Sequence, residues 1–240
     1  MDSEFELASQ YAKDLESFTI QDSLRFLWEK FPHQINFSTS FSLEDQVITH
    51  EISESQFNIG IFTLDTGRLF PETYSTWERT INRYALTIKA YYPEAPSLEE
   101  FVERNGPNSF YQSVDLRKQC CHIRKVIPLN KALVNTKVWI SGLRSDHSEQ
   151  RKDLKILEWD SNHQVYKFYP VFFWTENELR KSINSHGIPY NILFDKGFPS
   201  IGCAPCTRAI KPGESMRAGR WWWENPDQKE CGLHETQSIQ

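Results

Sequence analysis

The sequence predicts an α/β fold built on a mostly parallel sheet with flanking helices. Three observations predict it. Short apolar runs alternate with longer amphipathic stretches. Polar turns close the first two strand-like runs. Helix start and stop signals bracket segments between and after the strands. Strands alternating with helices imply βαβ units, and ligands of such sheets sit beyond the strands' carboxyl ends.

Taken in order, a helical region runs from Phe5 to Phe31, broken near Thr19, with Leu24, Phe26, Leu27 and Phe31 on its buried stripe. A strand over Ile35 to Ser40 meets a Ser-rich turn and a helix starting near Leu43. A second strand covers Ile59 to Leu64, Pro71 opens a helix reaching Tyr84, and a third strand covers Leu86 to Tyr91. Val138 to Ser141 is another buried strand. Thr175-Glu176-Asn177-Glu178 is a capping box opening a helix that Gly187 closes. After Tyr190 the chain is rich in Gly, Pro, Trp and Cys and reads as a functional loop and tail over the sheet.

A chain of 240 residues suffices for one well-buried α/β domain. No apolar run approaches the ~20 residues that span a bilayer, and the acidic start Met1-Asp2-Ser3-Glu4 lacks a signal-peptide layout. The reading is a cytoplasmic protein with reduced thiols, so five cysteines argue for metal or catalysis over disulfides. A net charge of -5 argues against a general nucleic-acid surface. Between Lys196 and Trp223, however, Lys196, Arg208, Lys211, Arg217 and Arg220 face a lone Glu214. That segment suits a small anionic ligand; the bland alternative is a solvated basic surface.

Ser38 to Asp45, between a strand and a helix, offers backbone N–H groups and hydroxyls to a phosphate. Walker and dinucleotide fingerprints are absent, and the alternative is that Ser42 merely caps the helix. Leu64-Asp65-Thr66-Gly67-Arg68-Leu69 ends the second strand in the same manner.

Cys120-Cys121 and Cys203-Ala204-Pro205-Cys206 together supply four thiolates, enough for tetrahedral zinc or an iron–sulfur cluster. Adjacent side chains diverge on a helix, which modestly favours a cluster. The alternatives are a redox pair at Cys203 and Cys206, or small buried residues at the vicinal pair. Lys125 lies one helical turn from Cys121, where an ammonium would offset thiolate charge, and Pro128 ends or kinks this helix. Cys231, in Glu230-Cys231-Gly232-Leu233-His234, reads as a free reactive thiol influenced by His234. Arg217 and Arg220, if helical, share a face and grip an anion, and the three tryptophans after them read as packing residues.

These motifs resemble the assimilatory adenylyl-sulfate reductases, relatives of the phosphoadenylyl-sulfate reductases. The residues that carry the resemblance are Cys120-Cys121 with Arg124-Lys125, Leu64 to Leu69, Ser141-Gly142-Leu143-Arg144, Gly202 to Arg208, Arg217 to Arg220 and Glu230 to His234. The resemblance implies a Rossmann-like, adenine nucleotide α-hydrolase-like fold, with a helical region over 1–34, the nucleotide-binding and iron–sulfur domain over 35–223, and a catalytic tail over 224–240. It implies a [4Fe–4S] cluster on Cys120, Cys121, Cys203 and Cys206. It makes Cys231 the nucleophile toward adenosine 5'-phosphosulfate, with thioredoxin or glutaredoxin releasing sulfite, in a homo-oligomer. Lys125, Arg144, Arg217, Arg220 and His234, with Arg151 more weakly, match the phosphosulfate surroundings. Ser40 and Ser42 match the phosphate turn, and Leu64, Asp65, Thr66 and Gly67 the adenosine contact. The 3'-phosphorylated substrate, or a zinc-stabilised nucleotide- or RNA-binding module, are the competing readings.

Overall fold

The computed structural model describes residues 2–145 and 154–224. Six strands form one sheet: β1 Ile35–Ser38, β2 Gly60–Leu64, β3 Ile88–Tyr91, β4 Val138–Ile140, β5 Leu157–Asp160 and β6 Val165–Phe168. Their spatial order is β3-β2-β1-β4-β6-β5. β1 pairs in parallel with β2 and β4, β4 in parallel with β6, and β5 antiparallel to β6. The expected mostly parallel sheet with flanking helices is observed.

The helices are α1 Asp2–Leu15, α2 Ile20–Lys30, α3 Leu43–Glu54, α4 Pro71–Tyr84, α5 Ala95–Asn105, α6 Val114–Cys121, α7 Ile127–Ala132 and α8 Glu176–His186. Their starts follow local chemistry. The Thr19 and Ser42 hydroxyls accept from Asp22 N–H and Asp45 N–H, both at 3.1 Å. Thr175 and Glu178 close the capping box, and Gly187 ends α8 in the left-handed region.

The chain gathers into two compact units. The first comprises residues 1–63, 75–89 and 133–191; the second comprises 64–74, 90–132 and 192 onward. In the first, Phe37, Val138, Ile140, Val165 and Phe168 of the sheet are buried with Leu24, Leu27, Val47 and Ile48 of the helices. Each such side chain contributes about 1.5–3 kcal/mol. The β5–β6 hairpin has no counterpart in the alternation read from sequence. Its Lys167 is 7 % exposed, and its ammonium lies 2.5 Å from the Asp160 carboxylate.

In the second unit α6 continues through a π-helical turn, His122–Val126, into α7. Ile127 N–H donates to His122 C=O, five residues back. Pro128 explains the turn: it lacks an N–H, and its ring would strike the carbonyl four residues earlier in a regular helix. The expected kink is therefore a widened turn, placed directly after the cysteine pair.

Candidate functional site

In the first unit, the turn before α3 is closed by its own side chains. Asp45 accepts from Ser40 N–H at 2.6 Å and from Ser40 Oγ at 2.8 Å. Thr39 Oγ1 accepts from Phe41 N–H at 3.1 Å, and Ser42 Oγ accepts from Asp45 N–H at 3.1 Å, which realises the alternative role for Ser42, helix capping. Burial pushes the Asp45 carboxyl up to about 6, against the hydrogen bonds from Ser40. Arg144, from the loop after β4, donates from Nε to Glu44 Oε1 at 2.8 Å and from Nη1 to Trp174 C=O at 2.9 Å. Both charged side chains are buried.

The second unit holds the four described cysteines around one cavity of about 310 Å³, counting its open mouth. Arg117, Cys120, Cys121, Arg124 and Lys125 line it. Their spacing is i, i+3, i+4, i+7, i+8, which is one face of a helix. The adjacent cysteines straddle that face, so their divergence does not keep either thiol out of the cavity. Cys203 and Cys206 enter from a tight turn: Cys206 N–H donates to Cys203 C=O at 2.9 Å, as does Thr207 Oγ1 at 2.9 Å. Arg68, Phe110 and Pro205 complete the lining.

The Leu64 to Leu69 loop is stitched to this turn. Gly67 takes φ +69°, and its N–H donates to Asp65 Oδ1 at 2.8 Å. Tyr74 OH donates to the same carboxylate at 2.9 Å. Thr66 Oγ1 lies 3.2 Å from Cys203 Sγ, and Ala204 N–H donates to Arg68 C=O at 2.8 Å. Arg124 Nη1 donates to Thr66 C=O at 2.5 Å.

Arg217 and Arg220 do not meet on a helix. They lie in a turn, with Arg220 N–H donating to Arg217 C=O at 3.0 Å. Their guanidinium carbons stand 6.0 and 4.7 Å from the Trp221 ring centroid, so the indole gathers the two cations. Trp221 and Trp223 pack on the cysteine cluster as read, whereas Trp222 is exposed.

The donor set fits an iron–sulfur centre. Four thiols share the cavity with four basic side chains, Arg68, Arg117, Arg124 and Lys125. Buried Trp221 Nε1, Trp223 Nε1, Arg124 Nε and Ser109 Oγ find no acceptor among the described residues. An orphaned buried donor costs about 1–3 kcal/mol, and of this set Arg124 lines the cavity, where thiolate sulfur is an acceptor within the same lining. Burial, then the neighbouring Cys203 and Cys121, pushes the Cys206 thiol up to about 12, with Lys125 and Arg220 opposing. Burial also raises Cys120. Among the described residues no three His, Cys, Asp or Glu form a group suited to one metal ion.

Cys231, His234 and Arg151 lie outside the described residues. Of the other expected site residues, Ser40, Ser42 and Arg144 belong to the first unit; Leu64, Asp65, Thr66, Gly67, Lys125, Arg217, Arg220 and the four cysteines belong to the second. Sequence reasoning passed over Arg117 and Tyr74. Arg117 was accessible from its spacing of three and four before the cysteines; Tyr74 carries no local signal.

A family model described as phosphoadenosine phosphosulfate reductase domain matches residues 34–209. The chain is 45% identical over 203 residues to adenosine 5'-phosphosulfate reductase of Burkholderia cepacia, covering 85% of this chain and 81% of that one. It is 46% identical over 203 residues to the enzyme of the same name from Allochromatium vinosum, covering 85% and 79%. Among solved structures, phosphoadenylyl-sulfate reductase from Candida auris superposes with a TM-score of 0.73 at 26% identity, covering 85% of this chain and 97% of that one.

Proposed function

The chain belongs to the phosphoadenosine phosphosulfate reductase domain family, and from that premise we propose that it reduces adenosine 5'-phosphosulfate to sulfite and AMP in sulfate assimilation. The observation that carries the choice of substrate is the close likeness, across most of the chain, to reductases named for adenosine 5'-phosphosulfate. The cavity shared by Cys120, Cys121, Cys203 and Cys206 supports the same reading, because it fits a [4Fe–4S] cluster. When bound, that cluster supplies a compact anionic centre whose charge the surrounding basic side chains offset.

The chemistry falls to the protein's own groups. The Cys231 thiolate attacks the sulfur of the phosphosulfate. A sulfur–sulfur bond forms, and the bond from sulfur to the bridging oxygen breaks, its electron pair leaving with AMP. A dithiol of the thioredoxin or glutaredoxin kind then attacks Cys231 Sγ. Sulfite departs with the electron pair of the sulfur–sulfur bond, leaving a mixed disulfide; the partner's second thiol attacks that disulfide, the partner closes to its own disulfide and the Cys231 thiolate leaves. Lys125, Arg144, Arg151, Arg217 and Arg220 are assigned to the phosphosulfate, His234 to the Cys231 thiol, Ser40 and Ser42 to the phosphate turn, and Leu64 to Gly67 to the adenosine. Preorganised cations facing developing negative charge are the largest lever available to such a site.

The reduced thiols this cycle needs fit a cytoplasmic setting. Among the described residues no helix is long and apolar enough to cross a membrane. A homo-oligomer is assigned from the family resemblance, with light scattering as its check.

Cys231→Ser tests the reading. The variant should keep its iron and sulfide yet form no sulfo-protein adduct with adenosine 5'-phosphosulfate by intact mass; an adduct formed at the wild-type rate would overturn it. The Candida auris neighbour acts by name on the 3'-phosphorylated nucleotide, so kcat/KM for both nucleotides decides substrate choice. Stoichiometric zinc in colourless, anaerobically purified protein would favour a zinc-stabilised binding module.

A further inference from the structure

Asp45, in the first turn of α3, folds its side chain back onto the turn that follows β1. It is 4% exposed. Its Oδ2 accepts from both donors of Ser40, the N–H at 2.6 Å and the hydroxyl at 2.8 Å. Ser40 itself is exposed. Phe41, between the two serines, takes φ +60°, which is unusual for a bulky residue. Its side chain is buried, and Thr39 Oγ1 accepts from its N–H. The backbone of the turn is thus set by the protein, and the open question at this turn is which acceptor holds Ser40.

The groups around the Asp45 carboxyl come from three segments. Ser40 and Ser42, in the turn, favour its ionised form by hydrogen bonding. Glu44, beside it on α3, is a like charge that disfavours that form, and Arg144 from the loop after β4 holds Glu44. Gly142, in the same loop, comes so close that a Cβ there would stand 2.2 Å from Asp45 Oδ1. Burial outweighs the serines and pushes the carboxyl up to about 6. So close an approach by Gly142 leaves the side chain little room to swing away. Protonation is the remaining way to loosen its hold, because a neutral carboxyl accepts about half as strongly as a carboxylate.

An anion at a helix N-terminus draws on the same donors. The Ser40 N–H and hydroxyl carry one hydrogen each, so a carboxylate and a phosphate compete for them. We propose that Asp45 is a proton-linked latch on the phosphate turn: its carboxylate competes with the nucleotide's phosphate for the Ser40 donors, so that binding is coupled to uptake of one proton by Asp45. This rests on Ser40 and Ser42 belonging to the phosphate turn for adenosine 5'-phosphosulfate, and it adds a regulation of that same site. The proton comes from solvent, and no bond other than that to hydrogen is made or broken. The sign is fixed. Above about pH 6 the carboxyl is ionised, binding must take up a proton, and affinity falls as pH rises. The coupling is reciprocal, so the bound anion raises the proton affinity of Asp45 by the same factor.

The test measures Kd for adenosine 5'-phosphosulfate from pH 5.5 to pH 8.5 in two iron-loaded proteins. One is Cys231→Ser, which removes the reacting thiol; the other adds Asp45→Asn, which keeps an oxygen for Ser40 and carries no charge. Ordinary couplings between sites begin at about fivefold. One of that size makes Kd rise about fourfold across this range in Cys231→Ser. The double variant should bind at least about fourfold more tightly than Cys231→Ser at pH 8.5, with the gap closing toward pH 5.5. His234 and every other titrating group act on both proteins alike, so the difference between the curves reads Asp45. Parallel curves overturn the latch, and so does weaker binding by the double variant at pH 8.5. Absence of binding by both proteins at every pH would instead strike down adenosine 5'-phosphosulfate as the ligand, so the two failures are distinguishable.

Discussion

Arg144 Nε donates to Glu44 Oε1 at 2.8 Å, joining the loop after β4 to the first turn of α3 across 100 residues of sequence. Their side chains are 2% and 7% exposed. Two unlike charges meeting out of water form a strong local constraint, and removing one partner strands the other.

Glu44→Gln should therefore destabilise the first unit by about 3–5 kcal/mol, read as a lowered urea midpoint with an unchanged slope. A variant within about 0.5 kcal/mol of wild type, the range of an ordinary surface substitution, would show that the pair is not energetically coupled.

Asp45 gives a pH dependence with a definite sign. Its carboxyl is raised from 3.8 to about 6, burial being the main cause. Between those values the folded chain binds more protons than the unfolded chain, so stability falls as pH rises from about 4 to about 6. The loss above that window is about 3 kcal/mol at 1.36 kcal/mol per unit. Asp45→Asn removes the titration, so the variant should gain on wild type as pH climbs from 4 to 7 in parallel urea melts. Curves that stay parallel would refute the shift.

Much of the fold was legible because its signals are local. Thr19, Ser42, Pro71 and the Thr175–Glu178 box act within one helical turn, and Ile61, Phe62, Val138 and Ile140 mark buried strands by residue type alone. The hairpin was not legible, because Lys167 and Asp160 neutralise each other only once β5 and β6 pair. The cysteines were legible as a set. Which cations join them was not: Arg117 is claimed by Glu224 and Arg124 by the Thr66 carbonyl, both contacts between segments distant in sequence. Nor was the gathering of Arg217 and Arg220 legible, since Trp221 arranges them in a turn and no helix does.

On the proposed cluster reading, removing the iron should leave unreactive thiols behind. With Cys206 pushed up to about 12 by burial, its thiolate fraction at pH 8 is about a thousandfold below that of an ordinary thiol. Peptide mapping after brief iodoacetamide treatment of iron-free protein should find Cys206 the last site alkylated, and Cys231 well ahead of it. Equal labelling of the two would contradict the buried environment assigned to Cys206.

Gly219 tests how closely the basic turn must approach its neighbour. A Cβ there would stand 2.2 Å from Arg208 C=O, where backbone cannot yield as a side chain would. Gly219 C=O accepts from Arg208 N–H at 3.0 Å, and Thr207 bridges Arg220 on the next step of the chain. Gly219→Ala must push these two segments apart. It should cost about 1–3 kcal/mol and carry Arg220 and Trp221 away from Cys206, whose carbonyl holds Trp221 N–H at 3.1 Å. The expected signature is a lowered thermal midpoint together with reduced iron retention on gel filtration. Arg208→Ala keeps the backbone and loses the Glu214 ion pair, at 2.8 Å and about one-third exposed, with one bond to Ala209 C=O at 2.8 Å, so its iron should stay bound. If the two variants lose iron equally, the charge of the turn and not its backbone spacing is what the cysteine site requires.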